Sequence, residues 1–108
     1  MTRVRMDWRT FTLTAEGHAG AGGGGPDIIC AAISALTQAL LNVLMEEHDL
    51  GNLTVTWDMD QKTGAIAIHT QPGRAPRRIV REWYRVAFTG LLALEENYPE
   101  HIKITEVE

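Results

Sequence analysis

The sequence predicts a two-layer α/β sandwich of the α+β type. Two helices pack on a mainly antiparallel sheet, in the order β-β-α-β-β-α-β. Three observations carry this prediction. Two long stretches repeat apolar residues at the helical period, five short ones alternate apolar and polar residues, and turns bearing glycine, proline or aspartate separate most of them.

Arg3 to Trp8 and Thr10 to Glu16 alternate as half-buried strands do, with Phe11, Leu13 and Ala15 on one face. Gly20 to Gly25 is all glycine and alanine, which predicts a loop because little side chain is present to pack. Pro26-Asp27 then signals a helix start. Asp27 is read as the N-cap, accepting a hydrogen bond from the N–H of Ile29 or Cys30. The first helix runs from Ile28 to about His48 on the stripe Ile29, Ile33, Leu36, Leu40 and Leu44, and Asp49, Gly51 and Asn52 end it. Leu53 to Asp58 alternates with Leu53, Val55 and Trp57 on one face. Asp60 to Gly64 turns the chain, and Ala65 to Thr70 returns to complete a hairpin. After the loop Pro72 to Pro76, a second helix spans Arg77 to Asn97, turning Val80, Trp83, Tyr84, Ala87, Leu91, Leu94 and Tyr98 inward. Pro99 stops it, and Ile102 to Val107 forms the last strand. Alternation does not disclose strand order.

Residues 1–108 read as a single domain, with no internal repeat or linker. A net charge of −4 argues against direct nucleic-acid binding. No run of 18 apolar residues appears and the N-terminus lacks a signal-peptide core, so no membrane association is expected. One cysteine makes no internal disulfide, which fits a reducing cytoplasmic setting. His18, His48, His69 and His101 are scattered without ligand spacing, so neither a metal nor a cofactor is expected.

The chemistry concentrates between Gly17 and Ser34, in GHAGAGGGGPDIICAAIS. Cys30 falls near the predicted helix start, where the backbone dipole favours a thiolate. His18, twelve residues earlier, offers an imidazole able to take the thiol proton and return it to a leaving group. Ser34 follows Cys30 by one turn as a supporting hydrogen-bond partner. Gly20, Gly22 and Gly25 suit a mobile substrate loop, and backbone N–H groups near Cys30 are candidates to bind an oxyanion.

These residues resemble the ribosomal-processing cysteine protease (Prp) family of small bacterial Cys/His endopeptidases. The likeness rests on Gly17-His18-Ala19, then Gly25, Asp27, Ile28, Ile29, Cys30, Ala31 and Ser34, with the histidine-to-cysteine spacing kept. A helix ending in an acidic pair, Asn97-Tyr98-Pro99 and a short strand resembles the family's C-terminus. The resemblance implies Cys30 as nucleophile, His18 as general base and acid, and a homodimer. It also implies a protein substrate: the N-terminal extension of ribosomal protein L twenty-seven, cut after two aromatic residues. Some members also process phage capsid or scaffold proteins.

Blander readings stand beside this one. A lone cysteine is usually a buried apolar residue. Gly20, Gly22 and Gly25 also match a dinucleotide-binding pattern, but Asp27 would place negative charge where a pyrophosphate belongs. Arg77, Arg81 and Arg85 form one helix stripe, read as a solvated face balanced in part by Glu82. Trp8, Trp57 and Trp83 are read as core or dimer-interface residues. The rival class is a non-enzymatic homodimeric module, ribosome-associated or regulatory, whose thiol would not react with an alkylating reagent at neutral pH.

Overall fold

The structure, a computed structural model, describes residues 1–17 and 24–108, with side chains described at all of these except 24–27. The elements are β1 (Thr2–Asp7), β2 (Thr12–Glu16), α1 (Gly24–Asp49), β3 (Leu53–Met59), β4 (Ile66–Pro72), α2 (Arg77–Asn97) and β5 (Ile102–Val107). All five strands join one sheet in the order β3-β4-β2-β1-β5. β1–β2, β2–β4 and β3–β4 pair antiparallel, whereas β1–β5 pairs parallel. The sheet is thus mixed but mainly antiparallel.

Both helices pack on one face. Val4, Met6, Leu13, Ala15, Leu53, Val55, Ile66, Ile68 and Ile102 supply the sheet side of the core, against Ile29, Ile33, Leu40, Leu41 and Leu44 of α1. Val80, Tyr84, Ala87, Phe88 and Leu91 complete it from α2. The opposite sheet face carries exposed Arg3, Arg5, Thr54, Thr56, His69 and Lys103, so the architecture has two layers. Ile28–Asp49 is long and apolar enough to cross a membrane by composition. In this fold its apolar stripe is spent on the sheet.

One corner is held against backbone strain. Phe11, in the β1–β2 turn, takes φ 50°, a left-handed value that costs a side-chain-bearing residue free energy. Its carbonyl accepts from the Thr70 N–H and the Tyr84 hydroxyl, each at 3.0 Å. Its ring stacks on Tyr84 at 5.6 Å, with the Arg77 guanidinium 4.5 Å from its centroid. Arg81 lies likewise over Trp8, and Arg85 pairs with Glu82. The arginine stripe is therefore engaged within the molecule.

Several expectations need correction. α1 begins at Gly24, so Gly24 and Gly25 are helical rather than loop, and Asp27 is the fourth helical residue rather than the N-cap. Once a long apolar helix has nucleated, adding a turn is cheap, and Pro26 falls in the first turn, where a missing N–H costs little. β2 starts at Thr12, because Thr10 and Phe11 turn the chain. Tyr98 caps α2 and is 42% exposed, and Trp57, at the sheet edge, is 48% exposed. Phe88, absent from the expected inward set, is buried edge-on against Trp8 at 5.4 Å.

Candidate active site

Cys30 is the seventh residue of α1, about 9 Å along the axis from its start. That is beyond the first turn, where free N–H groups and the dipole's field concentrate. The helix-start argument for activating this thiol therefore does not hold. The Cys30 N–H is also committed to the helical ladder, which removes it as an oxyanion donor.

The side chain of Cys30 is half-buried against the core and opens on a pocket of about 180 Å³. Four segments build the pocket: Thr2 from β1, Ala15 and Gly17 from the end of β2, Cys30, Ile33, Ser34 and Thr37 from α1, and Thr63, Gly64 and Ile66 from the β3–β4 hairpin. They meet because register places Ile66 opposite both Ala15 and Met59, at one end of the sheet. Apolar Ala15, Ile33 and Ile66 form its floor. Thr37 is buried with its hydroxyl donating to the Ile33 carbonyl at 3.0 Å, which leaves that side chain fixed.

Gly17 is the tightest point of the wall. Its φ is +86°, and a Cβ there would stand 2.5 Å from the Met1 carbonyl oxygen, so glycine is required twice over. The Thr2 hydroxyl donates to the Gly17 carbonyl at 3.4 Å. Of the expected site residues, the structure brings Cys30 and Ser34 onto one pocket wall. His18, Gly20 and Gly22 lie outside the described residues, as does the side chain of Asp27. Gly25 is the second residue of α1, not part of a loop. Thr2, Ala15, Thr37, Thr63, Gly64 and Ile66 had no sequence signal, because recognising them requires the strand order.

One observation weighs against a dinucleotide site. β2 and β3, the strands flanking α1, are separated by β4 rather than adjacent. Among the described residues, no group of three or more His, Cys, Asp or Glu side chains is placed to hold a metal.

A thiol opening from a core helix onto a small cleft, walled by the residue before a histidine, is an arrangement suited to nucleophilic acyl transfer. The sequence model of the cysteine protease Prp family matches residues 1–103, and the chain belongs to that family: it is a cysteine protease. The ribosomal processing protease Prp from S. aureus has two similar crystal structures, one with a covalently linked product peptide and one with a substrate peptide. Each is 22% identical to this chain and covers 98% of it and 99% of the other, with TM-scores of 0.79 and 0.78. A Streptococcus mutans crystal structure is 25% identical, covers 98% of this chain and 91% of that one, and has a TM-score of 0.71. No curated protein matches the chain.

Proposed function

We propose that this chain is an endopeptidase that removes a short N-terminal extension from a ribosomal large-subunit protein of the L twenty-seven type. Cys30 is its nucleophile and His18 its general base and acid. The observation that carries the reading is the pocket shared by Cys30 and Gly17. His18 follows Gly17 directly in the sequence, and Gly17 lines the pocket that holds Cys30. Family membership supports the same pair, and the similar S. aureus protein is described as a ribosomal processing protease.

In the mechanism, His18 takes the Cys30 proton as sulfur attacks the scissile carbonyl carbon. The tetrahedral oxyanion collapses, the C–N bond breaks, and His18 protonates the departing amine. Water, deprotonated by His18, then attacks the thioester and releases the acid product and the Cys30 thiolate. Ser34, one turn from Cys30, supports the pocket wall, and Asp27 sits in the first turn of α1 as a structural residue.

A cytoplasmic setting and a homodimer belong to the same proposal. The dimer is favoured by an apolar groove between the helices, lined by Leu36, Val43, Trp83 and Val86, with Val86 72% exposed. Sedimentation velocity at micromolar concentration checks the pairing. A Val86→Glu variant is expected to be monomeric.

The test of function is incubation with the extended ribosomal protein, read by intact mass. The expected result is loss of the extension at one bond. Cys30→Ala and His18→Ala are each expected to lower kcat/KM by about a thousandfold or more with the fold retained. Full cleavage by Cys30→Ala rejects the assignment.

A further inference from the structure

We propose that the open face of the sheet carries a cradle for linked phosphate groups, built by Arg3 and Arg5 of β1 and Lys103 of β5, with Thr14 and Thr105 as further donors. It is separate from the Cys30 pocket and does not rest on the protease reading.

Strand register assembles the cradle. On the face away from the helices, Arg3 stands beside Lys103 in the parallel β1–β5 ladder, and Arg5 beside Thr105. The antiparallel β1–β2 ladder sets Glu16 beside Arg3 and Thr14 beside Arg5. Residues two apart on a strand share a face and lie about 6.7 Å from each other, and neighbouring strands run about 4.8 Å apart. The three cations therefore fall in one patch, and all six side chains line a hollow of about 290 Å³.

The charge of this hollow is not balanced from within. Glu16 is the single carboxylate in its lining, against three cations, in a chain whose net charge is −4. Among the described residues, no ion pair or side-chain hydrogen bond engages Arg3, Arg5 or Lys103. Asp7, the next residue of β1 on that face, is held by Arg9 at 3.0 Å. Like charges at directly opposed strand positions, as at Arg3 and Lys103, are destabilising. Basic side chains do guard sheet edges, which accounts for a lysine on β5. Arg3 and Arg5 are not edge residues, because β1 lies between β2 and β5. The arginines of α2 differ: Arg77 and Arg81 lie over aromatic rings, and Arg85 pairs with Glu82.

The donors select the ligand. A guanidinium is a planar fork that matches two oxygens of one phosphate, and an ammonium is a compact point charge. Two forks, an ammonium and two hydroxyls present more donors than the roughly four lone-pair positions of one carboxylate can meet. Linked phosphates, in a free triphosphate or along an RNA backbone, supply both the oxygens and the charge. The strands expose no large apolar side chain on this face, so it lacks the core of a protein interface. The hollow also backs onto the Cys30 pocket. Thr2 and Ala15 line the pocket while Arg3 and Glu16 line the hollow, and alternation turns each pair to opposite sheet faces. Filling one therefore leaves the other clear.

The test titrates the full chain with inorganic tripolyphosphate, a short single-stranded RNA and citrate, at low and at high salt. Wild-type protein is expected to bind the tighter of the two phosphate ligands at least about tenfold more strongly than citrate. Arg3→Gln combined with Arg5→Gln is expected to weaken that binding by about tenfold or more. For RNA it is also expected to reduce the slope of log affinity against log salt by about 1–2. Arg74→Gln combined with Arg78→Gln removes the same charge elsewhere and is expected to leave affinity within about twofold. Lys103→Gln, a single change at the sheet edge, is expected to weaken binding about threefold and serves where the double variant melts early. Tighter binding of tripolyphosphate identifies a free phosphate compound as the source, and tighter binding of RNA identifies its backbone; both support the cradle. Citrate bound as tightly as the phosphate ligands, no binding of either phosphate ligand, or equal losses from the two arginine pairs overturns it.

Discussion

Gly17 shows how much one residue's backbone can decide at this site. Its left-handed φ and its approach to the Met1 carbonyl leave no space for a side chain, and it lines the pocket that holds Cys30. Gly17→Ala is expected to lower stability by about 1–3 kcal/mol and to depress cleavage further than unfolding alone explains. Thermal melting and kcat/KM measured on the same preparation check this. Tyr84 is the other informative residue, far from the pocket. Burial pushes its phenol well above the ordinary value, and its hydroxyl bridges the Phe11 carbonyl and Thr70. The folded state therefore holds its proton where the unfolded chain has lost it. Stability is complete below the unfolded phenol's pKa of about 10 and falls as pH rises beyond it. Tyr84→Phe is expected to cost about 1–3 kcal/mol at neutral pH: the Phe11 carbonyl keeps the Thr70 N–H, but the buried Thr70 hydroxyl loses its Tyr84 partner. It is also expected to flatten the alkaline decline, as urea unfolding between pH 8 and 11 would report.

Element by element, periodicity was a reliable guide wherever side chains could speak. The stripe Ile29, Ile33, Leu40 and Leu44 located α1 on the sheet, and the alternation of Leu13 with Ala15, and Ile66 with Ile68, located the inward faces. It misled where side chains were missing. Gly24 and Gly25 carry no pattern, so the helix extends past a start that Asp27 seemed to mark, and Cys30 moves out of the first turn. Trp57 misled for the opposite reason: its strand alternates correctly, but it sits at the sheet edge, beyond full cover by the helices. The helices approach closely at Gly90, where an added Cβ would meet Leu36 Cδ2 at 2.8 Å. The obstruction is a leucine tip, so Gly90→Ala should be nearly neutral as Leu36 turns aside and helix propensity improves. Gly90→Val should destabilise by about 1–3 kcal/mol through overpacking. Chemical denaturation of the pair distinguishes the two.

At the scale of the whole molecule, the pocket that holds Cys30 exists because of strand order, which local sequence does not contain. Thr2, Gly17, Cys30, Gly64 and Ile66 come from four separate segments, united when β4 inserts between β3 and β2 and β5 returns beside β1. Cys30 and Ser34 were singled out from the sequence, whereas the other residues that wall their pocket were not. A serine at position 30 would keep the shape of the pocket while losing the sulfur chemistry, which separates geometry from reactivity. The most direct measurement is acid-quenched intact mass of the protein during turnover of an extended ribosomal substrate, followed by peptide mapping. The account predicts a mass gain equal to the removed extension less one water, carried on the peptide containing Cys30 and absent from Cys30→Ser. Turnover with no adduct on that peptide, and undiminished cleavage by Cys30→Ser, would contradict it.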